Sequence, residues 1–137
     1  MKWARYMAEG AGAAAAAGIS YLFGCVDLPL GVLAAFMVMD YITGVLAAVF
    51  RHKLSSRTGM KGLVKKATII LVLIMAVFLD RLINSGEWIF RTVTCYFYIA
   101  NEGISILENC GELGVPIPRK VQSLLSQLRE SQDKGEK

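Results

Sequence analysis

Charge is what this 137-residue chain has least of, and it is missing in blocks. No charged residue occurs from Gly10 to Val26, from Leu28 to Met39, from Tyr41 to Phe50 or from Ala67 to Leu79. Overall 19% of residues are charged and 55% are hydrophobic, which excludes a disordered chain and is too apolar for an ordinary soluble domain of this length. Cysteine is also scarce. Cys25, Cys95 and Cys110 are odd in number, far apart and without CxxC or Cys/His spacing, so neither a disulfide framework nor a zinc site is expected. The single histidine, His52, lies among bases with no serine, cysteine or aspartate arranged to make it a catalytic base. With no Gly-rich phosphate loop, HExxH or nucleophile elbow either, the chain is read as a non-enzyme with no cofactor and no metal.

What is present is a series of apolar segments, and the fold class expected is an all-α membrane protein with three to four transmembrane helices in one domain. The helices are read at about 8–26, 28–50, 65–83 and 88–110, with a basic connection at 51–66 and a tail at 111–137. The first segment follows Lys2 and Arg5, and Leu22-Phe23-Gly24-Cys25 approximates a lipoprotein cleavage site. Phe23 is bulky for such a site, and another apolar segment follows, so the segment is read as a retained helix. Its Ala and Gly content suits close helix packing better than lipid contact.

Asp27-Leu28-Pro29 starts the second helix, 23 residues or about 34 Å long. Its eleven Leu, Ile, Val and Phe residues favour insertion by about 3–7 kcal/mol, which outweighs the cost of about 2.5–3.5 kcal/mol for Asp40 near its centre. Asp40, Thr43, Gly44 and Ala48 share a side of this helix. They suit either a polar contact between subunits or with water, or a neutral aspartic acid bonded within the bundle.

From 51 to 66 the chain carries Arg51, Lys53, Arg57, Lys61, Lys65 and Lys66 with no acid. The positive-inside rule makes this segment cytoplasmic and headgroup-facing. Nucleic acid is not expected, because no aromatic residue interleaves the bases. The third helix ends at Asp80 and Arg81, read as snorkelling to the opposite interface.

The last long helix is amphipathic. Arg91, Tyr98, Asn101, Glu102, Ser105, Glu108 and Asn109 gather with other polar residues in an arc of about 140°. Its eight Leu, Ile, Val and Phe residues contribute about 2.4–5 kcal/mol, and Glu102 alone returns about half of that or more. It is expected to lie flat at the interface or to place its polar face against partner helices and water in an assembly. Four passes put both termini inside, and three leave the tail outside. Beyond Gly114-Val115-Pro116-Ile117-Pro118, a short amphipathic helix is expected at 119–129 and a polar tail from Ser131.

Four motifs in register carry a resemblance. Asp40-Tyr41-Ile42-Thr43-Gly44-Val45-Leu46-Ala47-Ala48, then Lys53-Leu54-Ser55-Ser56 with Gly59 and Gly62-Leu63, then Asn101-Glu102-Gly103-Ile104-Ser105-Ile106-Leu107-Glu108-Asn109, and finally Gly114-Val115-Pro116-Ile117-Pro118 closely resemble the toxin-secretion/phage-lysis holins of phages and prophages of Gram-positive bacteria. The resemblance implies a protein without catalytic residues that accumulates in the host cytoplasmic membrane and forms homo-oligomers. It would open lesions through which an endolysin, or in some loci a toxin, leaves the cell. Its implied partners are further copies of itself, membrane lipids, the exported enzyme and in some systems an antiholin. An antiholin of the same family and a small ion or solute channel subunit are the alternatives.

Overall fold

The computed structural model describes residues 2–84, 86–121, 123 and 127. Four helices account for most of them: α1 (Lys2–Phe23), α2 (Leu28–Phe50), α3 (Ser56–Ile83) and α4 (Ile89–Glu112). Among the described residues there is no strand. Of the four, α2 and α3 are long and apolar enough to cross a membrane. The tail helix expected at 119–129 and the tail from Ser131 lie largely outside the described residues.

Local chemistry sets the helix ends. The Asp27 carboxylate accepts the Leu30 N–H at 3.2 Å, and a proline sits in the first turn of α2, where its missing N–H costs nothing. Ser55 accepts the Thr58 N–H at 3.2 Å and starts α3 at Ser56. The basic connection is therefore only 51–55, and the helix expected from 65 begins about two turns earlier. Asn84 in the left-handed conformation closes α3 (φ 50°).

The start of α4 is capped from another helix. Trp88 makes no side-chain cap, and Asp80 of α3 accepts the Phe90 and Arg91 N–H groups at 2.9 and 2.8 Å. Asp80 is buried at this helix end and does not snorkel to the interface, because two free amides and the positive end of the α4 dipole are beside it. Arg81 also turns inward. Its guanidinium lies 4.4 Å from the Tyr21 ring centre and 5.9 Å from those of Phe78 and Trp88. This aromatic seat joins the end of α1 to the α3–α4 turn.

The packing is up-and-down, with α2 and α4 parallel. Asp27 meets Arg91 at one end and Arg51 meets Glu112 at the other. The α2–α4 and α3–α4 contacts are the broadest, and α1 leans on α3. Gly103 makes the α2–α4 approach possible, since a Cβ there would lie 3.3 Å from the Phe36 ring. Leu33, Leu73 and Cys95 form a small core, flanked by Phe23, Leu30, Met37, Tyr98 and Ile99.

The polarity of the bundle is inverted relative to a soluble one. Arg91 and Glu102 are among the largest fully buried side chains, whereas Leu82 is 81% exposed and Leu71 65% exposed. An apolar exterior around buried charge is stable when hydrocarbon is the solvent. Asp80→Ala is expected to destabilise the fold by about 1–3 kcal/mol by orphaning two buried amides. A lowered Tm for the purified protein in detergent, larger than that of Glu9→Ala on exposed α1, is the measurement.

Candidate functional site

Paired charge lies in three layers along α4, two of them buried and one at the surface. At the α4 start, Arg91 is 1% exposed and makes four charge-assisted bonds. Nη1 and Nη2 donate to the two Asp27 oxygens at 2.8 and 2.7 Å, Nε donates to the Phe23 carbonyl at 2.6 Å, and Nη2 also donates to the Cys25 carbonyl at 2.7 Å. The planar fork thus ties α4 to the end of α1 and the start of α2. Gly24 between these helices has φ of 82°, and a Cβ there would lie 3.3 Å from Arg91 and Trp88 atoms. The Arg91 hydrogen bonds, with a smaller contribution from the Leu30 amide, hold the Asp27 carboxyl down to about 2 from an ordinary 3.8 against the opposing pull of desolvation.

The middle layer joins three helices. Lys66 Nζ of α3 donates to Asp40 Oδ2 of α2 at 2.8 Å and to Glu102 Oε2 of α4. Asn109 Nδ2 donates to Asp40 Oδ1 at 3.1 Å and to Thr43 Oγ1 at 3.0 Å. Thr43 in turn donates to the Met39 or Asp40 carbonyl, at 2.9 and 3.1 Å. Ser105 lies against the same aspartate. Gly44 leaves room for Asn109, whose Nδ2 would stand 3.5 Å from a Cβ there, and Ala48 is buried on the same helix. The third layer is the half-exposed pair of Arg51 and Glu112 at 2.9 Å.

A crevice of about 230 Å³ runs from the third layer to the second. Asp40, Gly44, Arg51, Thr58, Ser105 and Asn109 are among its lining residues. Tyr41 forms one wall and lies over Gly59 and Gly62, where a Cβ would be 3.8–4.0 Å from its ring and hydroxyl.

Residues from three of the sequence motifs therefore meet in one place: Asp40, Tyr41, Thr43 and Gly44; Gly59 and Gly62; and Glu102, Ser105 and Asn109. Arg91 stands apart at the α4 start, Tyr98 packs against the core, Asn101 is half-buried, and Glu108 is exposed. The bases divide as well. Arg51, Lys53, Arg57, Lys61 and Lys65 are exposed, but Lys66, grouped with them from sequence, turns inward because two carboxylates face it. Sequence reasoning places Lys66 with the headgroup-facing bases and does not include Asp27 or Asp80 among the site residues. Asp40 lies ten residues from the end of α2 and Lys66 ten from the start of α3, whereas Asp27 and Arg91 stand at the starts of α2 and α4.

A sequence model described as a bacteriophage holin family matches residues 17–130. The chain belongs to the bacteriophage holin family. This holin-family chain is 51% identical over 109 residues to an uncharacterized 14.9 kDa protein in the nagH 3′ region of Clostridium perfringens, covering 80% of this chain and 83% of that one. It is 41% identical over 105 residues to an uncharacterized Listeria monocytogenes protein, covering 77% and 74%. A probable holin of Bacillus phage phi105 is 38% identical over 115 residues, covering 83% of each chain. No solved structure matches.

Two substitutions separate the layers. Asp27→Asn should cost about 1–3 kcal/mol by weakening the partners of buried Arg91. Because the folded carboxyl is depressed, its stabilisation is present above pH 3.8 and is lost as pH falls toward about 2. The acid limb of a Tm–pH profile should flatten in the variant and stay steep in the parent. Lys66→Met should cost about 3–5 kcal/mol by leaving Glu102 buried and unpaired, and adding Glu102→Gln should restore much of the loss. A double-mutant cycle in chemical denaturation reads the coupling, and strictly additive losses would show that the pair does not act as drawn.

Proposed function

We propose that this holin-family chain acts as a holin in the host cytoplasmic membrane. It spans the membrane four times with both termini inside, assembles with copies of itself, and opens the membrane to an endolysin, leading to lysis. The observation that carries the reading is the inverted bundle within a holin-family sequence: a helix with a charged face, α4, held shut against two apolar spanning helices of its own chain. The phi105 relative, named a probable holin, supports the same reading.

The bundle gives such a protein a closed state. With Arg91, Glu102 and Asn109 bonded inside the subunit, its charge is shielded from lipid and copies can accumulate without harm. In the open state the α4 face, with Glu102, Ser105, Glu108 and Asn109, turns toward an aqueous surface shared by several subunits. Association favours that state by mass action, so opening depends steeply on copy number. α1 is the contact surface we assign to neighbouring copies. It is exposed along nearly its whole length, and Gly10, Gly12 and Gly18 have no neighbouring group within 4 Å of an added Cβ. The exposed bases Arg51, Lys53, Arg57, Lys61 and Lys65 face cytoplasmic headgroups.

Expression in a bacterial host should collapse the membrane barrier, and a co-expressed muralytic enzyme should then lyse the culture; intact membranes at high expression would overturn the reading. The double substitution Asn101→Leu, Glu102→Leu should leave a membrane-inserted protein whose opening is delayed or absent. Unchanged timing of lysis would remove α4 from the lesion wall.

A further inference from the structure

The middle layer is not electrically balanced. Asp40 and Glu102 bring two carboxylates to a single ammonium, Lys66, and Glu102 is completely buried. One Glu102 oxygen, Oε1, has no hydrogen-bond partner. The other groups facing the cluster do not supply the missing charge. Asp40 is met by neutral Asn109 and Ser105, Tyr41 lies beside it on α2, Lys65 on α3 acts on Asp40 only from an exposed, solvent-screened position, and Arg51 at the crevice mouth is paired with Glu112. A net negative charge halfway along a spanning helix is strongly disfavoured unless it is neutralised.

The crevice supplies a route to it. It opens at Arg51, Leu54 and Thr58 and reaches Asp40, Ser105 and Asn109, so polar groups stand at its mouth and at its inner end, with small and apolar residues between them. The opposite end is closed by Arg91 with its four bonds and by the Leu33–Leu73–Cys95 core. A larger groove also reaches Lys66, but its other lining residues are almost all apolar, so the polar route to the cluster is the one from the Arg51 end, which meets it at Asp40. Among the described residues no three Asp, Glu, His or Cys side chains come together as a metal site, which fits a single positive charge better than a divalent ion.

We propose that the Asp40–Lys66–Glu102 cluster is a binding site for one further monovalent cation, a proton or an alkali metal ion, that enters by water through the crevice from the Arg51 end. The occupied cluster is neutral and holds α2, α3 and α4 together; the empty one keeps an uncompensated negative charge away from water, which weakens the same hold. Binding to the folded form alone then raises its stability with ligand concentration. The proposal rests on the buried cluster and does not depend on whether the protein lyses cells.

The test uses the full-length protein in lipid nanodiscs and reads Tm in two series. In one, pH is lowered from mildly alkaline to mildly acidic in choline chloride. In the other, sodium or potassium replaces choline at constant ionic strength and fixed alkaline pH. A rise in Tm in the first series identifies the proton, and a rise in the second identifies the alkali ion. In either case Glu102→Gln, which removes one negative charge and keeps the shape, should abolish the rise, and Asp40→Asn serves if that variant does not fold. Glu9→Gln, on exposed α1, should keep it. A wild-type protein indifferent to both series, or a response that survives unchanged in Glu102→Gln and Asp40→Asn, overturns the site.

Discussion

One ammonium group organises this bundle. Lys66 of α3 stands between Asp40 of α2 and Glu102 of α4, and each of those helices contributes a charge that could not face hydrocarbon by itself. Helices in lipid gain little from burying apolar surface against one another, so packing and polar contacts must hold them. The small core of Leu33, Leu73 and Cys95 agrees with this, as does the exposure of Leu71 and Leu82. The charged contacts specify which faces meet, and the apolar exterior specifies the solvent.

The same inversion makes a holin reading physically coherent. A protein that must accumulate without harm and then open a membrane needs a polar surface that is hidden first and exposed later. On the function proposed for this chain, that surface is one side of α4, and its cover is α2 and α3. The convergence of three motifs from separate parts of the sequence on the crevice and Lys66 cluster locates where cover and surface are joined.

Much of this was legible in the order of residues, and the misreadings share a cause. The block pattern of charge, Asp27-Leu28-Pro29 and the polar arc of α4 are local signals, and they located α2 and α4 to within about two residues. The start of α3 was hidden because Ser55, Ser56, Gly59 and Gly62 have the composition of a loop. They form a helix because Ser55 caps it and because the glycines accept Tyr41 from α2. Lys66 was grouped with its basic neighbours for the same reason: its partners are 26 and 36 residues away. The polar arc of α4 reports that a face needs partners, and periodicity is silent on whether they belong to the same chain. Asp80 and Arg81 were read by their position at a helix end, whereas their roles come from the amides of α4 and the rings of Tyr21 and Trp88.

The parallel pairing of α2 and α4 works like a key in a lock. Arg91, Glu102 and Glu112 engage partners at three heights, two directly on the residues that cap the two ends of α2 and one through Lys66. A slip of α4 by one residue would turn its face by about 100° and miss all three seats together. Small excursions are therefore opposed at every level, and no intermediate register offers a compensating set of partners. On the proposed function, release of α4 must give up all three seats together, which would place a threshold inside the single molecule before any assembly adds its own.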